Sequence, residues 1–231
     1  MNQKLWIIVW LMGGLAGQGY SATVSGTVKY QGKVPNLPAV KMDADPSCAK
    51  KHANPQASDL LVLGAGNTMA NVFVAVKSGL GAKTYPIPKD PVVVDQNGCR
   101  YEPHVFGVRK GQPVLFKNSD GIFHNVHSLS KHLSFNLAMP GNMTLSAPQT
   151  FKMSENFFVV KCDVHPWMTS WARVLDHPFF SVTAKDGKYA LNNLPDGTYV
   201  IEAWHEKLGQ QTATITVKAN EVKMVDFTFK K

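Results

Sequence analysis

Cysteine is scarce in this chain, three in 231 residues. No arginine-rich run and no helix-turn-helix pattern occurs, and the lysines are scattered, which argues against nucleic-acid binding. No segment sustains a 3.6-residue apolar period beyond about two turns, which argues against a helical fold. The longest apolar run, residues 5–16, is too short for a transmembrane helix, which needs about 20 apolar residues. Low-complexity tracts and long linkers are also missing, so whatever units the chain contains are expected to pack together.

That apolar run follows Lys4 and ends in small residues, Gly17, Gly19, Ser21 and Ala22. A charged start, a short apolar core and a small-residue end make a secretory signal, assigned to residues 1–21, with export to the periplasm as the consequence. An uncleaved anchor is the rival reading. Cleavage leaves no stable membrane span. The chain has 24 basic and 16 acidic residues. Removal of the signal, which holds one lysine and no acid, leaves a surplus of seven positive charges. Such a surplus steers encounter with an acidic partner without fixing which one.

The mature chain reads as strands. Residues 23–30 alternate cleanly through Val24, Gly26, Val28 and Tyr30. Further short runs, rich in β-branched and aromatic residues, fall at 60–63, 71–76, 92–94, 114–116, 157–161 and 172–175. After Asp176-His-Pro come strands at 181–184, 188–191, 200–204, 212–217 and 222–229, two of them joined by an Asp186-Gly turn. The fold class expected is all-β, a sandwich with Greek-key connections and a second, smaller β-sandwich domain. The division expected is 22–90 as an N-terminal β segment, 91–176 as one sandwich and 177–231 as the other.

Chemistry gathers in two segments. One reads Phe123-His124-Asn125-Val126-His127, and the other Cys162-Asp-Val-His165-Pro-Trp-Met168. Two imidazoles, a thiolate and a thioether are the donor set of a type 1 copper centre, with Met168 as weak axial ligand. His124, Cys162, His165 and Met168 are the expected ligands of one copper ion. A strand ending at Cys162 would present all three side chains of its loop to one point, and Pro166 restricts that turn. His127 competes with His124, but residues three apart in a strand face opposite sides, so one of the two reaches the metal. His124 is chosen because the Gly121-Ile-Phe stretch before it can end a loop near the site.

Asn125 is expected to bond across to the loop of Cys162 and hold it without metal; a turn amide is its plainer role. Trp167 would add to an apolar surface through which His165 passes an electron, with core packing as the alternative. If metal holds Cys162, then Cys48 and Cys99 are free to pair in an oxidising compartment. The alternative is two buried free thiols. His104 and His205 are read as packed or surface histidines, with a second metal site as the lesser option. Met139 and Met143 are read as apolar gap-fillers rather than cuprous-ion ligands.

Residues 92–176 resemble the cupredoxin family, and amicyanin most. The motifs are Tyr101-Glu-Pro-His-Val, Val108-Arg-Lys-Gly-Gln-Pro-Val, His124-Asn-Val-His127 and the Cys162-x-x-His165-x-x-Met168 loop. The resemblance implies a blue-copper electron carrier, with the first histidine of His-Asn-Val-His as ligand. The tail, with Gly187-Lys-Tyr-Ala-Leu and Leu194-Pro-Asp-Gly-Thr-Tyr, is similar to carboxypeptidase regulatory-like or transthyretin-like β-domains. The opening Ser25-Gly-Thr-Val-Lys-Tyr resembles a first strand of the same kind of domain, so the copper module would be inserted within it. Proteins of this layout are often labelled methylamine-utilisation or plastocyanin-like.

Two functional classes follow. In the first, an exported type 1 copper protein carries single electrons between periplasmic partners, of cytochrome c or dehydrogenase type, with the edge of His165 as the exit. In the second, a copper-binding or partner-docking β-module keeps the metal as structure or store. Structural zinc would not need Met168, and a dinuclear copper site would need a second cysteine beside Cys162. Nucleophilic catalysis by Cys162 lacks an identifiable oxyanion pocket. An oxidase or nitrite reductase would need further histidine-rich sites, and no His-x-His pair is present.

Overall fold

The computed structural model describes residues 21–230; the rest of the expected export signal lies outside the described residues. No helix among the described residues is long and apolar enough to cross a membrane. The strands are β1 (Ala22–Gln31), β2 (Phe73–Ser78), β3 (Val92–Gln96), β4 (Tyr101–Glu102), β5 (Val105–Arg109), β6 (Pro113–Asn118), β7 (His124–Leu129), β8 (Ser134–Met139) and β9 (Gln149–Thr150). They continue with β10 (Glu155–Lys161), β11 (Thr169–Leu175), β12 (Phe180–Val182), β13 (Lys188–Leu194), β14 (Gly197–His205), β15 (Gly209–Val217), β16 (Val222–Met224) and β17 (Phe227–Lys230). One four-residue helix, α1 (Pro46–Ala49), lies in the long connection between β1 and β2.

Strand pairing separates the chain into two sandwiches. β1 pairs antiparallel with β13 and parallel with β16 and β17. The facing sheet runs β12-β2-β14-β15. Period-2 alternation in β1 sends Val24 and Val28 inward, onto Val74, Ile201, Tyr199 and Phe227 of one buried cluster. Strands β3 to β11 pair only among themselves, as β4-β3-β6-β9 and β5-β11-β10-β7-β8. Their core holds Val94, Phe106, Phe116, Val126, Phe151, Phe158 and Val160. Two parallel pairs, β3 with β6 and β5 with β11, require the chain to cross between the sheets rather than turn back as hairpins. The second sandwich is thus threaded into the connection between β2 and β12 of the first.

The two sandwiches share a third apolar cluster, Phe73, Ala75, Val105 and Leu175, flanked by Phe157, Trp171, Phe180 and Trp204. Phe157 stacks on Trp204 with ring centroids 3.5 Å apart and planes 10° from parallel, a contact worth about 0.5–1.5 kcal/mol beyond the area it buries. Gly107 leaves room for the Phe180 ring, since a Cβ there would lie 2.4 Å from it. Arg173 donates to Glu202 across the same boundary at 2.9 Å. His104 of the inner sandwich meets Glu206 of the outer one, both side chains under a tenth exposed.

Two local expectations change. Residues 60–63 form turns rather than a strand. Their apolar run does not alternate, and Leu61 and Leu63 pack sideways against the outer core, with one bridge from Leu63 to Met69. Residues 222–229 form two strands, β16 and β17, because Val225 N–H turns to Ser25 O at 2.8 Å and Asp226 accepts from Thr27 N at 2.7 Å. Gly26 permits that crossing, since a Cβ there would lie 1.8 Å from Val225 O. β8 was not expected, although Phe135, Leu137 and Met139 alternate along it.

Candidate metal centre

Cys162 follows the end of β10 and Met168 precedes β11, so the ligand loop is the turn joining two neighbouring antiparallel strands. Cys162 N–H donates to Met168 O at 3.1 Å, and Met168 N–H donates to His165 O at 2.9 Å. These bonds close the loop on itself and carry His165 toward β7, whose first residue is His124. His124, Cys162, His165 and Met168 are all at most 1% exposed.

The donor atoms converge. One donor atom from each of His124, Cys162 and His165 lies within 4.8 Å of the other two. His124 Nδ1 is 2.9 Å from His165 Nδ1, and Cys162 Sγ is 3.7 Å from His165 Nδ1. Bonds of about 2.0 Å to imidazole nitrogen and about 2.3 Å to thiolate, typical for a first-row ion, would span both separations. Met168 belongs to the same buried cluster as Cys162.

Each imidazole is backed by a carboxylate on its other nitrogen. His124 Nε2 lies 2.9 Å from Asp120 Oδ2, and His165 Nε2 lies 2.9 Å from Asp45 Oδ2. A ligating histidine that donates its outer N–H to a carboxylate has its tautomer fixed and its inner nitrogen made more basic. With both Nε2–H groups so engaged, both Nδ1 lone pairs and the sulfur point to one place. A cation there satisfies all three, so the residues present fit a thiolate-binding metal ion.

Burial favours the neutral Cys162 thiol, but hydrogen bonds from His124 and from the backbone of Asn125 and His165 bring it down to about 7. The thiolate that a metal requires is therefore close to hand near neutral pH. Burial works against a charged His124, but Asp120 and Cys162 together outweigh it, so the imidazole is raised. Asp120 is likewise held low despite burial, by His124, the Cys99 and Gly98 N–H groups and Lys51. Asp45 falls to about 2, chiefly through its bond to His165 and then through Ser47 N–H.

Asn125 spans the two ligand segments. Its Oδ1 accepts from Asp163 N at 2.7 Å and lies 3.2 Å from Cys162 Sγ, while Nδ2 donates to Asn136 and Asp163. His127 points elsewhere and meets Asp163 at 2.9 Å. Cys48 and Cys99 are joined in a disulfide with Cα atoms 5.7 Å apart, which leaves Cys162 as the free thiol. His104 bonds Thr169 O and Glu206, and His205 packs near Phe229. Met139 is buried in the inner core and Met143 is 41% exposed.

One expectation is overturned. The edge of His165 was to face outward as the electron exit, yet Asp45 covers it and the residue is 1% exposed. Trp167 sits beside it, ring centroids 5.2 Å apart, with its indole N–H donating to Cys99 O at 3.1 Å. The two backing carboxylates escaped sequence reasoning. Asp120, four residues before His124, was within reach of a search for acids near ligands, but Asp45 lies 120 residues from its partner.

No protein-family model and no curated protein sequence matches the chain. Among solved structures it is similar to an amicyanin mutant in its Cu(I) form, at 21% identity and a TM-score of 0.34, over 44% of this chain and 98% of that one. It is also similar to a copper-containing nitrite reductase from Thermus scotoductus SA-01, at 20% identity and a TM-score of 0.33, over 44% of this chain. The chain spans about a quarter of that reductase, 26% of its length. A purple cupredoxin from Nitrosopumilus maritimus aligns at 19% identity and a TM-score of 0.31, over 36% of this chain and 99% of its own. The strand layout makes the fold all-β, a Greek-key sandwich inserted into another β-sandwich.

Proposed function

We propose that this chain is an exported type 1 copper protein that carries single electrons between periplasmic redox partners. The observation that carries the reading is the convergence of His124 Nδ1, His165 Nδ1 and Cys162 Sγ in a buried pocket with Met168 in the same cluster. Bound copper would supply a reversible one-electron couple. Cys162, His124 and His165 would hold it and Met168 would tune it.

The chain's own groups suit that task. Asn125 ties the loop to β7, so little rearrangement is needed between metal-bound and metal-free states. Burial of all four ligands excludes water and small oxidants from the centre. Phe123 and Val164, each next to a ligand, are 49% and 47% exposed and offer an apolar docking face. The positive surplus of the chain as a whole favours encounter with an acidic partner.

The test is reconstitution of the mature protein with cupric ion, followed by visible absorption, electron paramagnetic resonance and voltammetry. An intense thiolate-to-copper band, narrow copper hyperfine splitting and a reversible one-electron wave are expected, all lost in Cys162→Ser. A colourless protein or an ordinary cupric spectrum would overturn the reading.

A further inference from the structure

The connection between β1 and β2 leaves its own sandwich and crosses to the metal centre of the other. Three of its attachments there bear on the site. Asp45 Oδ2 accepts from His165 Nε2 at 2.9 Å, while Asp45 Oδ1 accepts from Ser47 N–H at 2.7 Å and caps α1. Cys48 is disulfide-bonded to Cys99. Lys51 Nζ donates to Asp120 O at 2.7 Å and lies 3.2 Å from Asp120 Oδ1.

Cys99 is the hub on the other side. Its N–H and that of Gly98 donate to the two Asp120 oxygens, each at 2.8 Å. The same carboxylate holds His124, and Cys99 O holds Trp167 of the ligand loop. The contacts run in a closed circuit from His165 through Asp45, Cys48, Cys99 and Asp120 to His124. A metal site needs His165 held and oriented. It does not need a covalently pinned segment over the outer edge of that ring.

We propose that residues 45–51 are a strap that seals the centre, with Asp45 as the positioning residue that keeps His165 Nδ1 turned inward and the disulfide as its anchor. Asp45 holds the ring from outside, so His165 cannot swing out to admit an external ligand or chelator. This deepens the copper reading and rests on it where loaded protein is concerned. The closure itself is a property of the metal-free chain, and Cys162 reports on it as the free thiol behind the ring.

The experiment measures alkylation of Cys162 by iodoacetamide in metal-free protein, and removal of copper by a cuprous chelator in loaded protein. The decisive variant is Asp45→Ser. Serine still caps α1 but is too short to reach His165. Asp45→Asn keeps a single acceptor oxygen, which can serve either His165 Nε2 or Ser47 N–H but not both, and Cys48→Ser/Cys99→Ser frees the strap. Alkylation and copper loss at least tenfold faster in Asp45→Ser and in the double variant, with Asp45→Asn falling between Asp45→Ser and wild type, is the expected result. Unchanged alkylation in both Asp45→Ser and the double variant overturns the strap, whatever the copper spectrum. Faster alkylation in protein that gives no thiolate–copper band would leave the strap standing and sink the copper reading instead. Should the double variant fail to fold, Asp45→Ser, whose side chain is replaced at a partly exposed position, decides alone.

Discussion

Asp120 and His124, four residues apart at the entrance to β7, form a buried pair with Nε2 and Oδ2 2.9 Å apart. The carboxylate is fully engaged, since Gly98 N–H, Cys99 N–H and Lys51 reach it as well. It therefore fixes the imidazole from a rigid base rather than from a mobile surface loop.

Asp120→Asn is expected to weaken copper binding about 10–100-fold, the usual effect of losing such a partner. An amide also turns an N–H toward one of the two backbone donors, leaving it unpaired at about 1–3 kcal/mol. Competition against a chelator of known affinity checks the first effect, and urea unfolding of the metal-free protein checks the second. Copper affinity within twofold of wild type would refute the assignment.

His104 and Glu206 link the two sandwiches through a buried ion pair, and Trp171 Nε1 donates to the same carboxylate at 3.2 Å. Burial disfavours charge on His104, yet Glu206 raises it; Glu206 is lowered in turn, against burial. A raised histidine stabilises the fold fully below its unfolded value, and the gain is lost as pH rises through the folded value. Glu206→Gln is thus expected to destabilise by about 1–3 kcal/mol at pH 6, with the difference from wild type shrinking above neutrality. Urea unfolding at the two pH values measures this, and a difference independent of pH would show that His104 is not charged in the pair.

His177 and His205 behave in the opposite sense. Burial pushes both down to about 4. Asp176 opposes that shift at His177 while Arg173 and Arg109 add to it; Glu206 opposes it at His205 while His104 and Lys207 add to it. The unfolded chain takes up a proton at each near pH 6.5, so stability is complete above that value. It falls by up to about 3 kcal/mol per site as pH drops toward 4. Each ring accepts a backbone N–H two residues on, from Phe179 and Lys207, a role an asparagine oxygen can fill. His177→Asn and His205→Asn should each flatten the acid limb of the stability curve, and together abolish most of it. An acid limb unchanged in the double variant would place the lability elsewhere.

The convergence of His124, Cys162 and His165 was legible because the three fall in two short segments of fixed spacing, and a set of sulfur and nitrogen donors is a narrow pattern to look for. The β class was legible for a similar local reason, alternation as clear as that of Val24, Gly26, Val28 and Tyr30. What escaped is non-local. Asp45 sits in a Pro- and Lys-rich loop that shows no pattern, and its partner is set only by the folded path of the chain. The run at 60–63 misled because apolar content without alternation fits a packed turn as well as a strand. The exit assigned to His165 failed for the same reason as the missed strap, since nothing in the ligand loop records what lies over it.

The threading of one sandwich into the other has a consequence during synthesis. Ser21 bonds Asn193, 172 residues further along, and β1 finds its strand partners only in β13, β16 and β17. At roughly 5–20 residues per second, a ribosome needs roughly ten to thirty seconds to cover that interval. Through that time Val24, Val28 and Tyr30 have no sheet to enter, while β3 to β11 have all of their partners once residue 175 is made, before β13 begins at Lys188. The sheets bearing the histidines and Cys162 are complete before the pair that brackets them can begin to form. The waiting first strand is the part of the nascent chain that most needs a chaperone's cover.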